Sequence, residues 1–143
     1  MIYEDRTSSN LEKAAKKTQG KTFLPREISR HILRTIPYEY PHRKISVKLF
    51  TEEFTCICPF SGLPDYAKLT VSYIPRNKLI ELKSLKYYLY AYRNVKIYNE
   101  HVTNKILEDL KKVLTPWQLT ITARFSQRGG IENTVEATYS AKK

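Results

Sequence analysis

The sequence predicts an α+β domain: an antiparallel four-stranded sheet with two helices on one face. Three observations carry this expectation. Apolar and polar residues alternate in two stretches near Ile45–Leu49 and Leu69–Tyr73, and again in two stretches after Leu119. Between those pairs lie two stretches with apolar residues three and four apart, the period of a helix with one buried side. The order strand, strand, helix, helix, strand, strand lets every half-apolar element find a partner, which is the requirement for a layered domain.

Residues 1–43 read as an N-terminal extension that packs on the core or on a neighbour, and residues 44–143 as a single domain. In the extension, Leu11, Ala14 and Ala15 suit one helical turn, and Ile28, Ile32 and Leu33 another. Gly20, Pro25 and Pro37 punctuate it, and Tyr38–Pro41 is an extended lead-in. Ile45, Val47 and Leu49 mark the first core strand, and Leu69, Val71 and Tyr73 the second. A long loop carrying Cys58, Pro59, Gly62, Pro64 and Asp65 joins them, and long ordered loops often hold function. A strand-like run, Lys78 to Leu82, feeds a helix from Ser84 to Arg93, with Ser84 as its N-cap and Leu85, Tyr88, Leu89 and Tyr92 on one side. A second helix spans Glu100 to Leu114, ended by Pro116; its residues Glu108 and Asp109 oppose the apolar stripe and read as solvated. Leu119, Ile121, Ala123 and Phe125 form the third strand. After the turn Gln127–Gly130, Ile131, Val135, Ala137 and Tyr139 form the fourth. Such a sheet has two free edges and one face without helices, so it predicts a homo-oligomer whose sheets join, with sites at the interfaces.

The chain has 143 residues, enough for a real core, with 41% hydrophobic and 27% charged residues. No apolar run approaches the eighteen or so residues of a membrane span, and the N-terminus lacks a secretion-signal pattern, which together predict a cytoplasmic protein. The net charge of +11 favours encounters with anions such as nucleotides, nucleic acids or phosphates, and serves solubility equally well. Cys56 and Cys58, one residue apart, would close too small a ring for a relaxed disulfide. His31, His42 and His101 show no metal-ligand spacing, so no metal site is predicted. A nucleophilic thiol or a merely buried one remains. At the strand–helix junction, Ser84 with Lys83 and Lys86 suits either an anion at a helix N-terminus or an ordinary capped helix.

Taken together, Cys58-Pro59, Gly62, Pro64-Asp65, Glu81-x-Lys83-Ser84-Leu85-Lys86-Tyr87-Tyr88, Arg93-Asn94, Glu100 and Arg128-Gly129-Gly130 resemble the 7-cyano-7-deazaguanine reductase family. These are the NADPH-dependent nitrile reductases of queuosine tRNA-modification biosynthesis, here in single-module form. The resemblance runs from about Ile45 to Tyr139 and implies the tunnelling fold, with subunits joining into barrels. It implies that Cys58 attacks the nitrile of 7-cyano-7-deazaguanine to form a thioimide and that Asp65 handles the protons, on the way to 7-aminomethyl-7-deazaguanine. It assigns Ile80, Glu81, Leu82, Asn99 and Glu100 to the deazaguanine substrate and Lys83, Ser84, Lys86, Arg128 and Gly129 to NADPH. Two positions depart from the family pattern: Asn99 stands where a histidine is usual, and Leu82 where many members carry serine. Arg128 and Gly129 also suit a plain hairpin turn. Two rival readings are an amidinotransferase-type relative acting on nitrile-bearing tRNA and a noncatalytic basic RNA-binding module. Against the second, Tyr88 and Tyr92 share the helical core side with Leu85 and Leu89, so direct nucleic-acid binding is not expected.

Overall fold

The fold is that of a computed structural model which describes residues 28–142. The helical turn expected around Leu11–Ala15 lies outside them.

Around Ile28–Leu33 the expected α-helical turn is a single 3-10 turn, Arg30–Ile32, whose flanking Ile28 and Leu33 are buried in the core. A short strand β1 (Thr35–Pro37) follows. The four long strands are β2 (Val47–Ile57), β3 (Pro64–Ile74), β5 (Gln118–Arg128) and β6 (Ile131–Ser140), arranged β2-β3-β5-β6 with every pairing antiparallel. β4 (Lys78–Ile80) lies within the expected strand-like run and pairs with β1 as a separate two-stranded ribbon, a pairing that the sequence pattern did not announce. Helices α1 (Leu82–Tyr90) and α2 (Asn99–Leu114) complete the order, joined through a 3-10 turn at Ala91–Asn94. α1 and the 3-10 turn lie against β2, and α2 lies against β5 and β6. This is the α+β layer structure the periodicities predict.

The core is the slab between helices and sheet. Leu69, Val71, Tyr73, Leu119, Ile121 and Ala123 supply its floor, and Leu85, Val102, Ile106 and Leu110 its roof. α2 ends at Thr115, which adopts a left-handed φ of 44° one residue before Pro116.

Two bulges set the geometry of one end of the sheet. In β2 the register steps from Thr51↔Leu69 to Phe54↔Ala67, and in β5 from Phe125↔Asn133 to Arg128↔Ile131. Each inserts one extra residue, so the side chains beyond it change face. Before the first bulge Val47 and Leu49 face the helices; beyond it Phe54 and Cys56 do. The strand therefore continues to Ile57, and the supposedly long loop shrinks to residues 58–63, with Asp65 in β3.

Three further expectations are corrected. The N-cap of α1 is Glu81, not Ser84: its carboxylate accepts from the backbone N–H of Lys83 and of Ser84, both at 2.7 Å. The helix is also shorter than expected, giving way at Ala91 to the 3-10 turn. Asp109 is not solvated. It is buried and accepts hydrogen bonds from the Tyr88 hydroxyl at 2.7 Å and from Lys105 Nζ at 2.9 Å, while Tyr88 also bonds Tyr92 at 2.9 Å. The connection between the helices requires a polar anchor that an apolar count overlooks.

Candidate active site

Cys58 leaves the end of β2 held from both sides. The Ile57 N–H donates to Val95 O at 2.9 Å and Ile97 N donates to Ile57 O at 3.0 Å, so residues 95–97 act as a short parallel rail for the strand end. The loop then closes on itself. Cys58 N donates to Leu63 O and Gly62 N to Cys58 O, both at 2.9 Å, with Gly62 at φ +71°, a conformation glycine adopts without penalty. The Cys58 sulfur sits partly exposed inside this turn. The Ser61 hydroxyl and the backbone N–H groups of Ser61 and Phe60 donate to it, which stabilises thiolate and lowers its pKa, while the nearby Asp65 pushes it up. Cys56 behaves oppositely. Burial, with smaller contributions from Asp65 and Cys58, pushes its pKa up to about 12, so it stays a thiol at neutral pH.

Asp65 stands across from Cys56 in the ladder and is buried, which brings its carboxyl close enough to act on both sulfurs. Arg128 reaches it from β5, with Nε 2.9 Å from Asp65 Oδ1, and also donates through its terminal nitrogen to the Pro64 carbonyl. Sequence reasoning placed Arg128 at the cofactor and missed this contact. No sequence signal announces it, because the β5 bulge that turns Arg128 onto the face shared by Phe125 and Asp65 shows only in the strand pairing. Ser61 was missed as well, although a hydroxyl three residues after a cysteine in a Gly/Pro turn is the detectable pattern.

The same end of the sheet carries the start of α2. Glu100 is exposed and its Oε1 accepts from Asn133 Nδ2 of β6 at 3.3 Å. Asn99 keeps its side-chain oxygen buried without a hydrogen-bond partner, an acceptor waiting for a donor. Gly129 and Gly130, with φ of +57° and +78°, make the two-residue turn between β5 and β6 beside Arg128.

The remaining predicted residues lie elsewhere. Ile80 is buried, and its N–H donates to the Tyr73 hydroxyl at 3.1 Å, near the far end of β3. Tyr73 and Asp65 are separated by eight steps of strand, roughly 27 Å. Glu81 spends its carboxylate on the α1 cap, and its N–H donates to Arg34 O at 2.9 Å. Ser84 is buried, and its hydroxyl accepts from Arg34 N at 2.9 Å. Leu82 is exposed, and Lys86 lies with its ammonium 5.9 Å from the Tyr87 ring centre. One chain thus carries two separated groups: Cys58, Asp65, Asn99, Glu100, Arg128 and Gly129 at one end, and residues 80–86 toward the other. Among the described residues, no group of three or more His, Cys, Asp or Glu side chains could hold a metal ion, and no helix is long and apolar enough to cross a membrane.

The model of the QueF-like protein family matches residues 64–143, more than half of the chain. The chain belongs to the QueF-like family. The QueF-like chain is 53% identical over 113 residues to a protein of Caldicellulosiruptor bescii named NADPH-dependent 7-cyano-7-deazaguanine reductase, covering 79% of this chain and 86% of the relative. A protein of Thermoanaerobacter pseudethanolicus with the same name is 47% identical, covering 90% of this chain and 96% of the relative. Among solved structures, the apo form of the archaeosine synthase QueF-Like superposes with a TM-score of 0.63 at 28% identity, over 68% of this chain and 96% of that one. The fold of the QueF-like chain is accordingly the tunnelling-fold layer structure.

Proposed function

We infer that this protein is an NADPH-dependent 7-cyano-7-deazaguanine reductase, converting the nitrile to the primary amine of 7-aminomethyl-7-deazaguanine through a covalent Cys58 thioimide. The carrying observation is a partly exposed thiol with a lowered pKa next to a buried carboxyl, in a chain closely similar to proteins bearing that name. As the Cys58 sulfur forms its bond to the nitrile carbon, its proton passes to Asp65 and on to the nitrogen, giving the thioimide. Two hydrides are needed at the carbon. After the first, the C–S bond breaks, the Cys58 sulfur regains a proton and an imine is left. The second gives the amine, with Asp65 passing to nitrogen protons that it regains from water.

The donor set fits both ligands. The Asn99 oxygen without a partner and the Glu100 carboxylate suit the N–H and amino edge of a deazaguanine. Asparagine in place of histidine can orient that edge and cannot titrate, so proton handling rests with Asp65. The cationic Lys83, Lys86 and Arg128 suit the phosphates of NADPH, with Gly129 allowing close backbone approach. NADPH, when bound, supplies hydride. Ser84, inward-facing, supports this segment by anchoring α1 to Arg34, and residues 80–82 meet the substrate through their backbone and the exposed Leu82. Because the two groups stand apart on one chain, the complete site is formed where subunits meet, in a homo-oligomer.

The test is turnover of 7-cyano-7-deazaguanine followed by NADPH absorbance, with Cys58→Ala as comparison. Wild type is expected to turn over and, without NADPH, to gain the mass of the nitrile; Cys58→Ala is expected to do neither. An adduct that survives Cys58→Ala and disappears in Cys56→Ala would show the wrong sulfur was chosen. The likeness to the archaeosine synthase favours a second reading, transfer chemistry on nitrile-bearing tRNA, at lower identity. Adduct formation with no NADPH oxidation would select it.

A further inference from the structure

We propose that Arg128 is a positioning residue for Asp65, so that it serves the bond-forming step itself and not only the cofactor. The proposal rests on the reductase reading above. Its ground is a two-point contact: Nε lies 2.9 Å from Asp65 Oδ1, and the terminal nitrogen donates to the carbonyl of Pro64, the residue just before. A guanidinium is flat and its N–H groups are fixed relative to one another, so two such contacts set the plane of the group as well as its distance. Between them they hold the first two residues of β3 and the direction of the carboxyl.

The β5 bulge has a purpose in this arrangement. With regular alternation from Phe125, residue 128 would point away from the helices; the extra residue turns it back. The Asp65 side chain keeps about 10% of its surface exposed, whereas that of Arg128 keeps 44%. Asp65 therefore has little water to compensate the loss of its cation, and removing the guanidinium leaves a buried carboxylate free to turn. Proton transfer is steep in geometry, so a carboxyl displaced by about an ångström costs rate without costing binding.

A role limited to cofactor phosphates predicts something different, because thioimide formation needs no cofactor. The experiment mixes full-length wild type, Arg128→Ala, Arg128→Lys and Arg124→Ala with 7-cyano-7-deazaguanine in the absence of NADPH. The rate of mass gain is followed against nitrile concentration. Arg124 is the control: it makes a comparable exposed ion pair in the same hairpin, 2.8 Å to Glu132, and faces away from Asp65. Expected is a fall in the limiting adduct rate of about tenfold to a hundredfold in Arg128→Ala, with half-saturation changed less than about twofold. Arg128→Lys should recover part of the rate, and Arg124→Ala should match wild type. Adduct formation at the wild-type rate in Arg128→Ala would overturn the proposal and leave Arg128 to the cofactor alone. An equal loss in Arg124→Ala would overturn it too, by assigning the effect to the hairpin. Absence of any adduct in wild type would instead remove the reductase reading.

Discussion

The two cysteines, separated by one residue, have opposite chemistry because one faces the slab and the other leaves it. The Cys58 pKa is lowered first by the Ser61 hydroxyl and then by the N–H groups of Ser61 and Phe60. Ser61→Ala removes the first of these donors from the thiolate, so the pH midpoint for alkylation of Cys58 by iodoacetamide should move upward, read by intact mass across a pH series. Asp65→Asn acts with the other sign. It removes a negative neighbour that raises the Cys58 pKa, so the midpoint should move down even as turnover is lost. A downward midpoint with unchanged turnover would remove Asp65 from the mechanism. Cys56, held at about 12, should stay unlabelled through pH 9 in either variant.

At the scale of elements, the helix pair is tied by more than apolar packing. Asp109 of α2 accepts from Tyr88 of α1, Tyr88 bonds Tyr92 of the 3-10 turn, and Tyr92 stacks at a tilt on Phe54 of β2 with ring centres 5.8 Å apart. Burial raises the pKa of both tyrosines well above the ordinary range, so they remain neutral donors. Asp109→Ala takes the acceptor from the buried Tyr88 hydroxyl and from Lys105, and should cost about 2–3 kcal/mol in urea unfolding with the m-value unchanged. Tyr88→Phe leaves Asp109 its lysine and should cost about 1 kcal/mol. Equal losses would mean that packing, not the hydrogen bonds, carries the stability. Glu81→Ala should cost a further 0.5–2 kcal/mol or so through the lost cap. These elements also show what was legible in the sequence. Both helices and all four long strands announce themselves by period, and Cys58 and Asp65 by their local pattern. The bulges do not, because an inserted residue breaks the alternation from which strands are recognised. That is why β2 seemed to stop near Leu49; Asp65 seemed to lie in a loop because it is a charged residue at an inward position of β3, where the alternation expects an apolar one. Asp109 was misjudged for a related reason: a helical period sorts apolar residues from polar ones and cannot tell a buried, paired carboxylate from a solvated one.

For the whole molecule, the separation of the two residue groups decides what assembly must do. Cys58 and Asp65 stand at one end of the sheet, whereas Ile80 sits at Tyr73 near the other and Leu82 and Lys86 lie over the middle of β2, beside Thr51 and Phe54. Among the described residues, β6 pairs on one side only, and so does β2 apart from the bridge of Ile57 to residues 95–97. Beside the β2 edge, Phe50 (60% exposed), Leu82 (60%) and Tyr90 (56%) line a groove of about 450 Å³ against α1. On the function proposed above, a second copy of the chain would fill this groove with a free edge and bring the residue 80–86 group of one chain to the Cys58 group of another. The prediction that follows is complementation. Cys58→Ala and a Lys83→Ala/Lys86→Ala double variant should each be inactive alone. Co-expressed so that they assemble together, they should recover about a quarter of wild-type activity, because half of the Cys58-bearing groups are intact and half of those meet an intact lysine group. Light scattering on the mixture checks that the oligomer has the wild-type size. Recovery requires that each site draw on two chains. A mixed oligomer of the right size that shows no activity would mean that one chain holds a whole site, and the two separated groups would then need another explanation.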